Sequence, residues 1–200
     1  GKNLPYASDP DSSTLGEPST FAPVVSVASI ENARNGRGAY KMSDFSSWGV
    51  SPDMRLKPEV TAPGGNIYSA VPGGTYEFKS GTSMATPQMA GVSALVLQRV
   101  QNDPLFASMS AREKVDVVQN LIMGTATPVV DPLQDTGAPY SPRKQGSGLA
   151  NVLAATTSSV YPTVVGAPEQ SRPKADLGDG TTGWHFDVTL HNLSGAEATY

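Results

Sequence analysis

The sequence predicts an α/β domain through about residue 158, followed by the opening part of an all-β domain. Three observations carry this. Short apolar runs bounded by glycine and proline fill the chain before Ser83. Stretches of helical periodicity follow Ser83 and Ser110. Near Ser158 the pattern changes to short strands, one of them strictly alternating between apolar and polar residues.

Taken in order, residues 1–20 read as loop, with turn formers clustered at Asp9-Pro10-Asp11-Ser12-Ser13. Phe21–Ile30, carrying Val24, Val25, Val27 and Ile30, reads as a buried strand, and Asn35-Gly36 as a turn. Glu59–Ala62 and Ile67–Ala70 read as strands separated by Pro63-Gly64-Gly65. Pro72-Gly73-Gly74 then turns the chain into Tyr76–Lys79. From Ser83 a helix is expected, with Met89, Val92, Leu95, Val96 and Val100 toward the core. The small residues Ala85, Ala90, Gly91 and Ala94 would let another element approach it closely. Ser110-Ala111-Arg112-Glu113 is a capping-box signature, opening a helix with Val115, Val118 and Ile122 on one face. Gly146-Ser147-Gly148-Leu149 precedes a short helix through about Ala155. Tyr161–Val165 and Trp184–His191 read as strands joined by a polar stretch that turns at Leu177-Gly178-Asp179-Gly180. Alternation sends Phe186, Val188 and Leu190 toward a core and leaves His185 and His191 with Asp187 and Thr189 on the solvated face.

Composition narrows the function classes. Hydrophobic residues at 38% and charged residues at 16% suit a globular chain. The net charge of −4, with no basic cluster, argues against a nucleic-acid partner. No apolar run is long enough to span a bilayer, and Gly1-Lys2-Asn3-Leu4-Pro5 does not read as a signal peptide. The absence of cysteine excludes disulfides and thiolate metal sites within the chain.

Chemistry concentrates at Gly81-Thr82-Ser83-Met84-Ala85-Thr86-Pro87. A hydroxyl nucleophile needs a base and donors for the oxyanion that forms. At the first turn of a helix, Ser83 would have unpaired backbone N–H groups and the positive end of the helix dipole beside it. Gly81 permits a tight turn and close approach of a substrate carbonyl. Pro87 lacks the N–H that would bond to the Ser83 carbonyl, which is tolerable near a helix start.

The segment Lys57-Pro58-Glu59-Val60-Thr61-Ala62-Pro63-Gly64, with Ile67-Tyr68-Ser69, Ser80–Pro87 and Ala90-Gly91, resembles the strand, loop and nucleophile helix of subtilisin-like serine peptidases. Phe45-Ser46-Ser47-Trp48-Gly49 resembles the segment that precedes them. Ser141–Leu149 resembles the end of the catalytic domain in lactocepin-like multidomain cell-envelope proteinases, and Trp184–Tyr200 is similar to the start of their first fibronectin-III-like domain. The resemblance implies a parallel sheet with helices on both faces. It divides the chain into the C-terminal, nucleophile-bearing half of a peptidase domain (1–158) and a partial β-sandwich (159–200).

By the same resemblance Ser83 is the nucleophile of a serine endopeptidase, Gly16 forms the floor of the substrate S1 pocket, and Gly81 and Thr82 flank the substrate. Glu17 at the pocket rim would favour basic or polar P1 residues. Asn3 is the only upstream candidate for the oxyanion asparagine and reads better as loop sequence. The resemblance also implies a secreted or wall-associated bacterial enzyme acting on protein or peptide substrates, with no redox or organic cofactor. Structural calcium is common in such enzymes, but no site for it can be placed in this sequence.

Two departures stand out. The acid motif Asp-Ser/Thr-Gly and the base motif His-Gly-Thr are absent, and the two histidines both lie downstream of Ser83. The expectation is therefore a fragment, inactive alone, whose partner is the missing N-terminal half of its own domain. Such a fragment should bare part of Phe21–Ile30 and of the nucleophile helix. Secondly, Glu31–Met42 leaves room only for a short loop where these proteinases usually carry a protease-associated domain.

Two other function classes compete. One is an α/β-hydrolase-type esterase using Ser83, Asp131 or Asp135, and His185, in the chain order of that fold. The other is a non-catalytic, subtilase-like binding module. Asp131, Asp135, Asp176 and Asp179 lack the spacing of a calcium loop and read as turn formers. Asn192-Leu193-Ser194 fits a glycosylation triplet, a pattern frequent by chance.

Overall fold

The structure, a computed structural model, describes residues 14–33, 40–165, 172–175, 183–197 and 199. The turns expected at Asp9–Ser13, Asn35-Gly36 and Leu177–Gly180 lie outside these residues, as do Asn3, Asp176 and Asp179. The chain divides into two compact units, Gly1–Ala90 with Thr127–Ala150, and Gly91–Ala126 with Asn151–Tyr200.

In the first unit β1 (Val27–Glu31) pairs in parallel with β2 (Val60–Gly65), Val27 opposite Val60 and Ile30 opposite Pro63. β1 is shorter than the expected Phe21–Ile30. The chain from Pro18 to Val24 winds through turns instead, with Phe21 N–H donating to Pro18 O and Val24 N–H to Phe21 O. β2 is longer, running through Pro63-Gly64-Gly65, which the sequence places in a connection. These glycines serve close packing rather than a turn. A Cβ on Gly64 would lie 2.4 Å from Ser29 Oγ and 2.6 Å from Gly81 O. The turn falls instead on Asn66, at φ 55° in the left-handed region that asparagine tolerates, with its N–H on Ser80 Oγ. β3 (Ile67–Val71) and β4 (Thr75–Lys79) follow as an antiparallel hairpin.

The core of this unit is Ala28, Ile30, Met42, Val129 and Tyr140, with Leu149 packed against it. The opposite side of β1 is polar but equally filled. Ser29 N–H donates to Ser46 Oγ, and the Ser29 and Ser43 hydroxyls bond at 2.9 Å. The bare face expected on Phe21–Ile30 is confined to its start, where Phe21 is 57% exposed and Pro23 is exposed, while Ala28–Ile30 are buried. Gly146–Leu149 does more than lead into a helix, because it lies along β2. Thr61 N–H donates to Gly148 O, Ala150 N–H to Thr61 O and Ser147 N–H to Glu59 O. Gly146, at φ 64°, makes this possible, since a Cβ there would stand 2.4 Å from the Glu59 backbone. Before it, the single turn α3 (Pro142–Gln145) packs on β1.

Helix α1 (Thr82–Asn102) begins in the first unit and continues in the second. Ala85, Met89, Val96 and Val100 form its buried line. Leu95, expected among them, is half exposed, and Ala90, Gly91 and Ala94 are exposed. Leu95 stands one residue, ~100°, from Val96 around the helix, which takes it off the buried line.

In the second unit α2 (Ala111–Gly124) opens with the expected capping box. Ser110 Oγ accepts from Glu113 N–H, and Glu113 Oε2 accepts from Ser110 N–H at 2.8 Å. Its buried stripe is Val117, Val118, Leu121 and Ile122, while Val115, assigned to the core by periodicity, is exposed. α2 packs on α4 (Val152–Thr157) and on β5 (Val160–Val164). Arg99 of α1 donates to Ala155 O and Ser158 O, tying down the end of α4.

β5 pairs antiparallel with β6 (Val188–Asn192), Tyr161 opposite His191. Here alternation assigns the wrong face. Phe186, Val188 and Leu190 are about half exposed, whereas His191 lies stacked on the buried Tyr161 ring with centroids 4.4 Å apart. Tyr161, the one buried ring of the pair, takes its neighbours on the histidine side.

Candidate active site

The strand that carries Ala62-Pro63-Gly64 fixes the start of α1. Gly81 N–H donates to Gly64 O at 2.8 Å, and Gln88 Nε2 donates to Pro63 O at 2.8 Å. Because Gly64 has no side chain, Gly81 and Ala85 can lie directly against it. Ser83 is therefore held at the second residue of the helix, exposed, with Gly81 behind it. Helical geometry leaves the first-turn amides without intrahelical acceptors, and Pro87 leaves the Ser83 carbonyl without its usual donor. The Ser83 hydroxyl has no hydrogen-bond partner among the described residues.

Ser83 stands between two concavities. One, of about 470 Å³, is lined by Gly16, Glu17, Val24–Ala28, Ser46 and Ser47, with Thr82, Ser83 and Thr86 on the helix side. The structure thus brings Gly16 onto one cavity with Thr82 and Ser83, which lie far from it in sequence. Its loop walls are pinned. Trp48 N–H donates to Thr14 Oγ1 at 2.6 Å and Thr14 N–H to Trp48 O, while Ser19 caps the Gly16 carbonyl. The other, of about 480 Å³, lies between the start of α1 and the β3–β4 hairpin. Ile67, Ser69, Glu77 and Lys79 face Ser83, Met84 and Gln88 across it.

Sequence reasoning missed one feature of this site. Lys57 and Glu59, read from sequence only as part of the family-like segment and the start of a strand, form a wholly buried ion pair, Nζ to Oε1 at 2.8 Å. The available signal was a charged pair flanking a proline and leading straight into the apolar start of β2.

Among the described residues neither cavity is lined by histidine or aspartate. Asp131 is occupied locally, where its Oδ1 accepts the Leu133 N–H within a turn. Burial, with the Asp131 charge adding to it, pushes the Tyr140 hydroxyl above its ordinary range. Asp135 and His185 are exposed. His191 Nε2 bonds to Thr163 Oγ1 at 2.9 Å, and burial lowers its pKa. Among the described residues no three His, Asp or Glu side chains converge to hold a metal.

The subtilase-family model (Peptidase S8) matches residues 3–148. The chain belongs to the subtilase family. As a subtilase it is 33% identical over 154 residues to the C5a peptidase of Streptococcus pyogenes, covering 77% of this chain and 13% of that protein. It is 38% identical over 167 residues to the PII-type proteinase of Lactococcus lactis subsp. cremoris, covering 80% of this chain and 9% of that protein. This subtilase chain thus spans only a small part of the length of the relatives it matches. The solved structure of the Clostridium perfringens CspB protease superposes with a TM-score of 0.57 at 30% identity, over 72% of this chain and 28% of that one. The subtilisin-like α/β fold is thereby shown.

Proposed function

We propose that this subtilase chain is the nucleophile-bearing part of a serine endopeptidase. The observation that carries the reading is the placement of Ser83, exposed at the first turn of α1 and at the mouth of the Gly16 cavity. In the proposed reaction the Ser83 oxygen attacks the scissile carbonyl while a base takes its proton. First-turn amides and the helix dipole face the oxyanion. The C–N bond then breaks, the proton passes to the leaving amine, and water releases the acyl group. The Gly16 cavity takes the side chain on the acyl side, and the concavity beside β3–β4 takes the leaving side. The reaction as written requires no cofactor. Among the described residues neither cavity carries a histidine or aspartate, and on this reading the base and acid come from the other half of the peptidase domain.

Finer readings follow from the same resemblance. Residues 159–200 begin a fibronectin-III-like domain, and the parent is a secreted or wall-associated bacterial enzyme. Bacterial peptidases among the relatives support this. Among the described residues no helix is long and apolar enough to cross a membrane. Glu17, exposed on the cavity rim, favours basic or polar P1 residues. A peptide-library profile unchanged by Glu17→Gln would remove that assignment.

The test is labelling with a fluorophosphonate. The 200-residue chain should stay unlabelled and inactive. Adding the acid- and base-bearing segment, covalently or as a separate chain, should restore labelling and turnover. Ser83→Ala should then lower kcat by ~10⁶, the size of the loss when subtilisin is deprived of its catalytic serine. Rapid labelling of the chain alone would mean that it contains its own base. Labelling that disappeared with His185 would favour the hydrolase arrangement.

A further inference from the structure

We propose that Lys57 and Glu59 are positioning residues which aim the acyl-side wall of the Ser83 cavity. The inference rests on the peptidase reading and adds a specificity device to it. Both side chains are fully buried. Among its described partners the Lys57 ammonium meets Val24 O at 2.6 Å, Glu59 Oε1 at 2.8 Å and Phe21 O at 3.1 Å. Glu59 Oε2 accepts the Ser26 N–H at 2.7 Å, and Ser26 O in turn accepts the Glu59 N–H at 3.0 Å.

The gripped segment is the one that needs gripping. Phe21–Ser26 belongs to no helix or strand, yet Val24, Val25 and Ser26 line the cavity at whose mouth Ser83 stands, and so does Pro58 between the two charges. An irregular wall without ladder bonds drifts unless its backbone groups find fixed partners. Here one buried ammonium takes two of its carbonyls and the paired carboxylate takes its amide. The wall cannot shift without unpairing a charge away from water, which is strongly unfavourable. An apolar pair of the same volume would be about as stable, but it would leave those carbonyls and that amide unaimed. What the charges contribute is therefore direction.

The test uses the peptidase completed by its acid- and base-bearing segment. Lys57→Met alone strands a buried carboxylate and should lower the unfolding midpoint. The double variant Lys57→Met/Glu59→Gln removes both charges while keeping an acceptor for Ser26 N–H, and its midpoint should return toward the parent's. It should nonetheless raise KM about tenfold for a peptide whose P1 side chain fills the cavity. The kcat for a small activated ester that does not reach the wall should change less than about twofold. In Lys57→Ala, propylammonium at millimolar concentration should reverse part of the rise in KM, and the same concentration of sodium chloride should not.

A readout independent of turnover is hydrogen exchange in the 200-residue chain. The amides of Val24–Val27 should exchange faster in the double variant than in the parent, and those of α2 should not. A double variant with the parent's KM and the parent's exchange at Val24–Val27 overturns the proposal. Absence of Ser83 labelling in the completed parent enzyme would overturn the peptidase reading alone, leaving exchange to decide the clamp.

Discussion

Two strand pairs of similar size in this chain behave in opposite ways. In β1–β2 nearly every residue is buried, and each side of β1 has its own filling, apolar toward Ile30 and hydroxyl-bonded toward Ser29. In β5–β6 the β6 strand is mostly exposed, with Val188 and Leu190 facing outward. The first pair is parallel and needs cover on both sides, whereas an antiparallel pair can keep one face wet. The difference teaches where function resides. The fully packed pair ends at Gly64 and Gly65, and Gly64 is what holds Ser83 in place.

The largest effect should come from breaking the packed pair at its centre. Ile30→Ala, at a fully buried position, should cost about 2–5 kcal/mol in denaturant unfolding. A value below about 1 kcal/mol would mean that the site collapses freely. Next comes Gly64→Ala, whose methyl would meet Ser29 Oγ, Gly81 O and Ala85 Cβ at 3.0 Å or closer. It should cost about 1–3 kcal/mol. In the completed enzyme it should also reduce Ser83 labelling disproportionately to the stability lost, since it pushes the helix start off β2. Equal losses in labelling and stability would mean that Gly64 acts only through packing.

The wet pair should respond to pH. Burial lowers the pKa of His191 from its ordinary 6.5, so the fold favours the neutral ring. Its contribution is complete above the ordinary value and is lost as pH falls through the lowered one. The stability of this unit should therefore decline on acidification below about pH 6.5, and His191→Gln should flatten that slope. An unchanged slope would assign it to other groups. The smallest effect is expected at Leu190→Ser. At a position 54% exposed, it should change stability by no more than about 0.5 kcal/mol. A larger loss would show that something covers this face in solution.

Much of the site was legible because its signals are local. The segment Gly81–Pro87 marks a serine at a helix start, and the capping box at Ser110 marks α2, since both depend on residues within one turn. Gly16 was legible only through resemblance, for nothing local ties it to Ser83. Pro63-Gly64-Gly65 misled because a turn and a close backbone approach both call for glycine, and only the neighbouring chain tells them apart. Periodicity misplaced Leu95 and Val115 because it gives a helix's apolar side without its edges.

By itself the sequence determined the serine and the helix that presents it through short-range propensity, and the fold class through its resemblance to the subtilases. Only the tertiary structure decided that residues near 16, 24, 46 and 83 share one cavity, and that Lys57 and Glu59 lie buried beneath its wall. It also decided that β6 turns His191 inward and Leu190 outward. Burial and charge pairing are set by residues distant in the chain, and no pattern within a single segment encodes which neighbours it will meet.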